Sequence, residues 1–388
     1  MTLLPALVFL AMQAKVSSPT ELENALHHLD RSELSQAAIK YVNTGDVGKG
    51  LTPRVEDRKV AFGYRSDSAK KVEAHLVPNG PTIPLTLLGP GVFANVADFQ
   101  YMDAYSVDYY ADGEKVGTTR RFEVYKTPPE MIVNPAVAKG ELMVMPKQIS
   151  KIYPDTQSDW WVYKPAKPEP EGGYGLIVFQ DGAGPKGYAI ACLDNMIAKG
   201  DIPPCVAIFI QPSVTIPDAK SIRSRQYDVL SDEFVRYLLD EYEPVAAQTL
   251  SVKISQDPSK RCIAGVSSGG IAAFTAAWQR PDKFGLVLSW VGSFTNIASG
   301  ASKREGGHNY PALIRKTDKK PIRVFLQDGD QDLDNEHGNW FLSAQQMAAA
   351  LKFKGYDFQF KPGHGFHSDS HGRSMMPDAL RYLFGISK

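Results

Sequence analysis

The stretch Arg261-Cys-Ile-Ala-Gly-Val-Ser-Ser-Gly-Gly-Ile-Ala-Ala-Phe-Thr-Ala-Ala-Trp278 decides the fold. Cys262, Ile263 and Ala264 form a short apolar run suited to a buried strand. Gly265-Val266-Ser267-Ser268-Gly269 fits G-x-S-x-G. Ala272, Ala273, Ala276 and Ala277 then favour a helix, which Pro281 stops. Strand, sharp turn and helix form the context in which this pattern lifts a serine above the carboxyl end of a sheet. The glycines have a steric job, because a turn that tight leaves no room for side chains two residues either side. Ser267 is thus a candidate nucleophile. The Ser268 amide, at the start of the helix, points where an oxyanion forms. The same five residues also describe a plain tight turn, so the neighbouring sequence has to decide.

Upstream, Gly175-Leu-Ile-Val-Phe179 and Val206-Ala-Ile-Phe-Ile210 read as buried strands. Downstream, Leu286–Trp290, Arg323–Leu326 and Tyr356–Phe360 are further strands. Helical stretches alternate with them at Ile190–Lys199, Tyr227–Glu241, Phe341–Lys354 and Pro377–Phe384. Gln148–Tyr153 and Asp159–Tyr163 look like an antiparallel opening pair. Strands alternating with helices predict a mainly parallel sheet covered on both faces. With the serine turn, the α/β fold becomes specifically an α/β-hydrolase fold over residues 140–388.

A serine hydroxyl is a weak nucleophile until a base takes its proton. In this fold the order along the chain is serine, acid, histidine. Leu326-Gln-Asp-Gly-Asp-Gln-Asp-Leu-Asp334 follows a strand and offers Asp328, Asp330, Asp332 and Asp334. The Gly329-x-x-Asp332 spacing favours Asp332, with Asp334 next. Alternate aspartates also suggest a calcium loop, but the remaining ligands of a twelve-residue loop are missing. Lys361-Pro-Gly-His-Gly-Phe-His-Ser-Asp-Ser-His-Gly372 offers His364, His367 and His371. His367 is favoured as the base, with His371 supporting it or lining the mouth of the site. Gly363, Gly365 and Gly372 argue for a loop and against a helical metal-binding pair, so no metal is expected.

The first part of the chain has another texture. Leu3–Ala11 is a short apolar run and Ala14 a possible cleavage residue, so residues 1–14 read as a signal peptide. That predicts a periplasmic or secreted protein, with the cytoplasm as the alternative. Residues 15–44 form a helical segment, with one helix expected over Thr20–Val42. From 45 to 130 short alternating strands, such as Val60–Tyr64, Lys71–Leu76, Tyr105–Tyr110 and Arg121–Tyr125, predict a small β-sandwich. The 43 basic and 43 acidic residues balance, which gives no general pull towards nucleic acid or anionic lipid. No run reaches membrane-spanning length. Cys192, Cys205 and Cys262 lack metal-ligand spacing and allow at most one disulfide.

Phe62-Gly-Tyr64, Ala69-Lys-Lys-Val72 and Tyr109-Tyr-Ala-Asp112-Gly113 resemble early-set immunoglobulin-like modules. From about Gly140 to Lys388 the chain resembles the esterase family that includes enterochelin esterases, feruloyl and acetyl xylan esterases and bacterial mycolyltransferases. Phe179-Gln-Asp-Gly182, Asp194–Pro204, Arg223–Asp228, Ala264–Ile271, Phe284–Ser289 and the Asp332 and His367 loops carry the resemblance. It implies a Ser267–His367–Asp332 triad and a second oxyanion amide from Gly182 or Ala183. It also implies hydrolysis of a carbohydrate-linked, phenolic or siderophore ester, without a cofactor. Acyl transfer to a sugar and a catalytically dead glycan-binding protein are the alternatives. The expected partner is a small-molecule or glycan ester. Relatives often carry Arg-x-x-Glu-Tyr where this chain has Arg223-x-x-Gln226-Tyr227. Arg223, a candidate substrate contact with His371, is therefore expected to lack an ion-pair partner.

Overall fold

The computed structural model describes residues 15–29, 32–42, 50–298 and 305–385. The expected signal peptide lies outside the described residues. The chain divides into two compact units, the first ending at Lys126 and the second starting at Thr127.

The first unit begins with two helices, α1 (Pro19–Leu26) and α2 (Ser32–Val42), where the periodicity predicts one. Ser18 caps α1 by accepting the Glu21 N–H. Seven antiparallel strands follow: β1 (Arg54–Glu56), β2 (Lys59–Arg65), β3 (Val72–Val77), β4 (Thr82–Gly89), β5 (Val92–Asp98), β6 (Ala104–Ala111) and β7 (Glu114–Glu123). Their order is β1-β2-β5-β4-β3-β6-β7. Strand β4 joins two halves: Thr82–Leu85 pairs with β3, and Thr86–Gly89 pairs with β5 through an irregular register. The sheet thereby curls into a small sandwich around Phe62, Tyr64, Leu76, Phe93, Val107, Tyr109 and Phe122. Ala61, Leu88, Val92 and Ala94 form a second cluster with Leu22, Ala25, Ala38 and Val42 of the helices. Strand β4 escapes sequence reading because Pro84 and the exposed Leu87 interrupt the alternation.

The second unit is built on eight strands: β8 (Glu141–Val144), β9 (Trp160–Lys164), β10 (Gly175–Gln180), β11 (Cys205–Ile210), β12 (Arg261–Val266), β13 (Leu286–Trp290), β14 (Arg323–Gly329) and β15 (Asp357–Gly363). Their order is β15-β14-β13-β12-β10-β11-β9-β8. From β15 to β11 all neighbours are parallel, while β9 runs antiparallel to β11 and β8. The opening pair is therefore β8 with β9. Gln148–Tyr153, expected to be a strand, is a loop with Ile149 exposed and only a single bridge to Gln157.

Alternation sends side chains of one strand to opposite faces. Ile177, Phe179, Cys262, Ala264 and Leu288 pack with helices α3 (Lys186–Lys199) and, further along the chain, α6 (Met376–Phe384). Leu176, Val178, Ile263, Val287 and Val324 face the helices α4 (Ser268–Gln279) and α5 (Trp340–Phe353). The helix expected over Tyr227–Glu241 is two: a short one at Arg223–Tyr227, then a longer one from Glu233 to Leu250 that widens at Tyr237–Tyr242. The widening lies just before Pro244, whose missing N–H and bulky ring disturb regular α-helical bonding. All three cysteines are buried and free. Among the described residues no helix is long and apolar enough to cross a membrane.

Candidate active site

The turn between β12 and α4 shows why its residue types are needed. Ser267 has φ 59° and ψ −125°, a conformation that costs strain in a non-glycine residue. Bonds on both sides hold it there. Its N–H donates to the Trp290 carbonyl at 3.0 Å, and its own carbonyl accepts from Gly270, Ile271 and Ser293. A β-carbon at Gly265 would lie 2.1 Å from the Gly269 carbonyl oxygen. One at Gly269 would lie 3.0 Å from Asp181 Oδ2.

Ser267 Oγ is 2.8 Å from His367 Nε2. His367 Nδ1 is 2.5 Å from Asp332 Oδ1, which also accepts the Leu333 N–H at 2.5 Å. The Asp332 side chain is shut off from solvent, while the imidazole is one-fifth exposed. The three side chains come from loops after β12, β14 and β15, so the sheet's parallel order brings them to one end. A neutral imidazole that donates from Nδ1 to the carboxylate presents an acceptor at Nε2 to the serine hydroxyl. This arrangement suits proton removal from Ser267.

The competing loop residues go elsewhere. His364 Nδ1 meets both oxygens of Asp330 at 2.9 Å, and its Nε2 meets the Gln331 side chain. Asp334 is exposed and pairs through its backbone with Asn339 in a small hairpin. His371, expected at the mouth, is buried and 4% exposed. Its Nδ1 lies 3.0 Å from Gln327 Nε2, and burial lowers its pKa to about 4. Its ring packs so close under Gly363 that a β-carbon there would be 1.9 Å away. It is a packing histidine under the loop. Among the described residues no group of three or more His, Cys, Asp or Glu is arranged to hold a metal ion.

Two further expectations need correction. Arg223 does have an ion-pair partner: Nε and Nη2 donate to the two carboxylate oxygens of Asp181, each at 2.8 Å. Gln226 instead binds Ser213, accepting its N–H and donating to its hydroxyl. The Gly182 N–H is spent on the Ile210 carbonyl at 3.0 Å, so it is closed to an oxyanion. The Ala183 N–H is held at 3.1 Å by the Gln211 side chain in an exposed position. Ser268 is the first residue of α4, so its N–H has no partner inside the helix.

Sequence reading passed over two residues. Ser293 Oγ lies 3.3 Å from Ser267 Oγ and receives the Trp340 indole N–H at 3.1 Å. The Trp340 ring also meets the His367 ring edge-on, with centroids 5.7 Å apart. Neither residue belongs to a motif. Ser293 had only its place just after strand β13 as a signal.

The family model described as "Putative esterase" matches residues 154–383. The chain belongs to that esterase family. It is 26% identical over 240 residues to the iron(III) enterobactin esterase of Dickeya dadantii, covering 59% of this chain. The chain spans about half, 52%, of the length of that curated relative. The enterobactin esterase of Shigella flexneri, solved in the presence of enterobactin, superposes with a TM-score of 0.61 at 14% identity, covering 89% of this chain and 98% of that one. A ferulic acid esterase superposes with a TM-score of 0.51 at 16% identity, covering 64% and 100%. These structural likenesses give the fold: an α/β hydrolase preceded by a small all-β domain.

Proposed function

We propose that this esterase-family chain hydrolyses a carboxylic ester through an acyl-enzyme on Ser267. The observation that carries the reading is the unbroken line from Ser267 Oγ through His367 to the buried Asp332 carboxylate. As Oγ attacks the ester carbonyl, its proton passes to His367 Nε2, and Asp332 stabilises the imidazolium. The carbonyl oxygen becomes an oxyanion, which the Ser268 and Ala183 N–H groups receive. The oxyanion displaces the Gln211 side chain from Ala183. Collapse breaks the ester C–O bond, and the departing alcohol takes the proton from His367. A water molecule, deprotonated by the same nitrogen, then attacks the acyl carbon and releases the acid with Ser267 restored. Each oxyanion donor contributes about 3–4 kcal/mol by comparison with measured deletions.

Arg223 serves the site by holding Asp181, and hence the turn that carries Ala183. Its charge is already matched by that carboxylate. The substrate class is a phenolic, siderophore or carbohydrate-linked ester, in keeping with the enterobactin and ferulic acid esterases among the relatives.

Labelling with a fluorophosphonate probe tests the nucleophile. Label on Ser267 is expected, and a folded protein that stays unlabelled overturns the mechanism. Hydrolysis is then screened on aryl acetates, feruloyl esters, acetylated xylan and a catecholate trilactone. Added sugar alcohols would reveal acyl transfer as transesterified product.

A further inference from the structure

Asp328 lies near the end of β14, one residue before Gly329, and its side chain is fully buried. Its Oδ1 accepts the Gly329 N–H at 2.8 Å. Its Oδ2 has no donor among the described residues. Asp332, four residues on, repeats the pattern. Its Oδ1 takes two donors, His367 Nδ1 and the Leu333 N–H, and its Oδ2 has none. The two carboxyl groups lie within hydrogen-bonding reach of one another. Two buried carboxylates in contact do not both ionise. One proton between them gives each orphaned oxygen a partner.

We infer that Asp328 keeps its proton and donates it to Asp332 Oδ2, so that a neutral acid positions the carboxylate that orients His367. The assignment rests on the triad reading above. The donors decide which carboxyl holds the proton. Asp332 receives two, one of them from an imidazole that becomes cationic in the reaction, so its anionic form is favoured. Asp328 receives one backbone N–H and is shut off from water. Burial first, and the Asp332 carboxylate second, push the Asp328 carboxyl far above the usual range. Asp332 is the charged group that acts on it. His371, on the one-turn helix Ser370–Ser374 packed against β14, is held neutral by burial.

The consequence is mechanical. A carboxylate bonded through one oxygen only can turn about its Cβ–Cγ bond. A donor on the second oxygen fixes its plane, and with it the imidazole. Asp328 touches neither the reacting serine nor its histidine, so it is a positioning residue.

The test compares Asp328→Asn with Asp328→Ala. Asparagine keeps a donor for Asp332 without a charge, so kcat on an activated aryl ester should stay within about threefold, and the acidic limb of kcat/KM within about 0.3 pH unit. Alanine removes the donor and should cost kcat about tenfold or more with KM little changed. If Asp328 were ionised, its charge would raise the His367 pKa. Asp328→Asn would then shift the acidic limb down by about one unit or more, which would overturn the inference. An alanine variant as active as the wild type would overturn it too. Infrared difference spectra at neutral pH supply a reading independent of activity. A protonated-carboxyl band present in the wild type and lost in Asp328→Asn supports the inference, and its absence from the wild type sinks it. A chain that neither hydrolyses esters nor labels at Ser267 would defeat the proposed function, and the spectra would still decide where the proton sits.

Discussion

Trp340 donates its indole N–H to Ser293 Oγ at 3.1 Å. Ser293 already receives that proton, so its own hydroxyl proton is free to turn towards Ser267 Oγ, 3.3 Å away. Ser267 Oγ then receives from Ser293 and gives to His367, which fixes the direction of its lone pairs. Ser293→Ala is expected to lower kcat by about twofold to tenfold, the worth of one neutral hydrogen bond. Trp340→Phe keeps a ring against His367 but loses the donor, so its effect should match that of Ser293→Ala. The double variant, measured by steady-state hydrolysis, should be no worse than either single one if they act as one chain.

The three histidines of the 361–372 loop are separable by kinetics. His367→Ala and Ser267→Ala should each reduce kcat about 10⁴-fold or more, and combining them should add little, because triad members act as a unit. His364→Ala should leave kcat nearly unchanged, since its ring is engaged with Asp330 and is partly exposed. A dead His364 variant beside an active His367 variant would reverse the assignment of the base.

What the sequence makes legible follows from steric necessity. Gly265 and Gly269 are readable as a pair because a side chain at Gly265 would press on Gly269 and one at Gly269 on Gln180 and Asp181 of the neighbouring turn. The alternation of β10 to β14 with helices is readable because buried parallel strands are continuous apolar runs. Ser293 and Trp340 are not readable in this way. Their roles come from strands and loops far apart in the chain meeting at one end of the sheet. His371 misleads for a related reason: a polar residue in a glycine-rich loop looks exposed until the packing beneath Gly363 is known. The Arg223 reading fails because the partner is sought in the local motif, at position 226. The carboxylate that fits the guanidinium, Asp181, comes from the loop after β10.

Fold stability has a focus outside the site. Arg261 at the start of β12 is fully buried and meets Glu243 through both Nη atoms, at 2.8 and 2.5 Å. It also donates to the Ser255 and Lys283 carbonyls. Glu243→Ala leaves a buried guanidinium without its counter-charge and should cost about 3–5 kcal/mol. Urea denaturation of the wild type and the variant measures this. A loss below about 1 kcal/mol would mean that the two carbonyls suffice to hold Arg261.

His371 makes stability depend on pH. Burial lowers its folded-state pKa to about 4, below the ordinary value of about 6.5 that applies once the chain unfolds. Between those values the unfolded chain binds a proton that the folded chain refuses. Stability therefore rises with pH across that window and is lost as pH falls from about 6.5 towards 4. At pH 5 the contribution amounts to about 2 kcal/mol of destabilisation relative to neutral pH. His371→Gln removes the titration while keeping a polar group opposite Gln327. The variant is expected to lose less stability than the wild type between pH 7 and pH 5, whatever its absolute stability at pH 7. Urea midpoints and slopes at the two pH values give the comparison. Equal losses in the two proteins would show that the imidazole is not buried in its neutral form, and would return His371 to the mouth of the site.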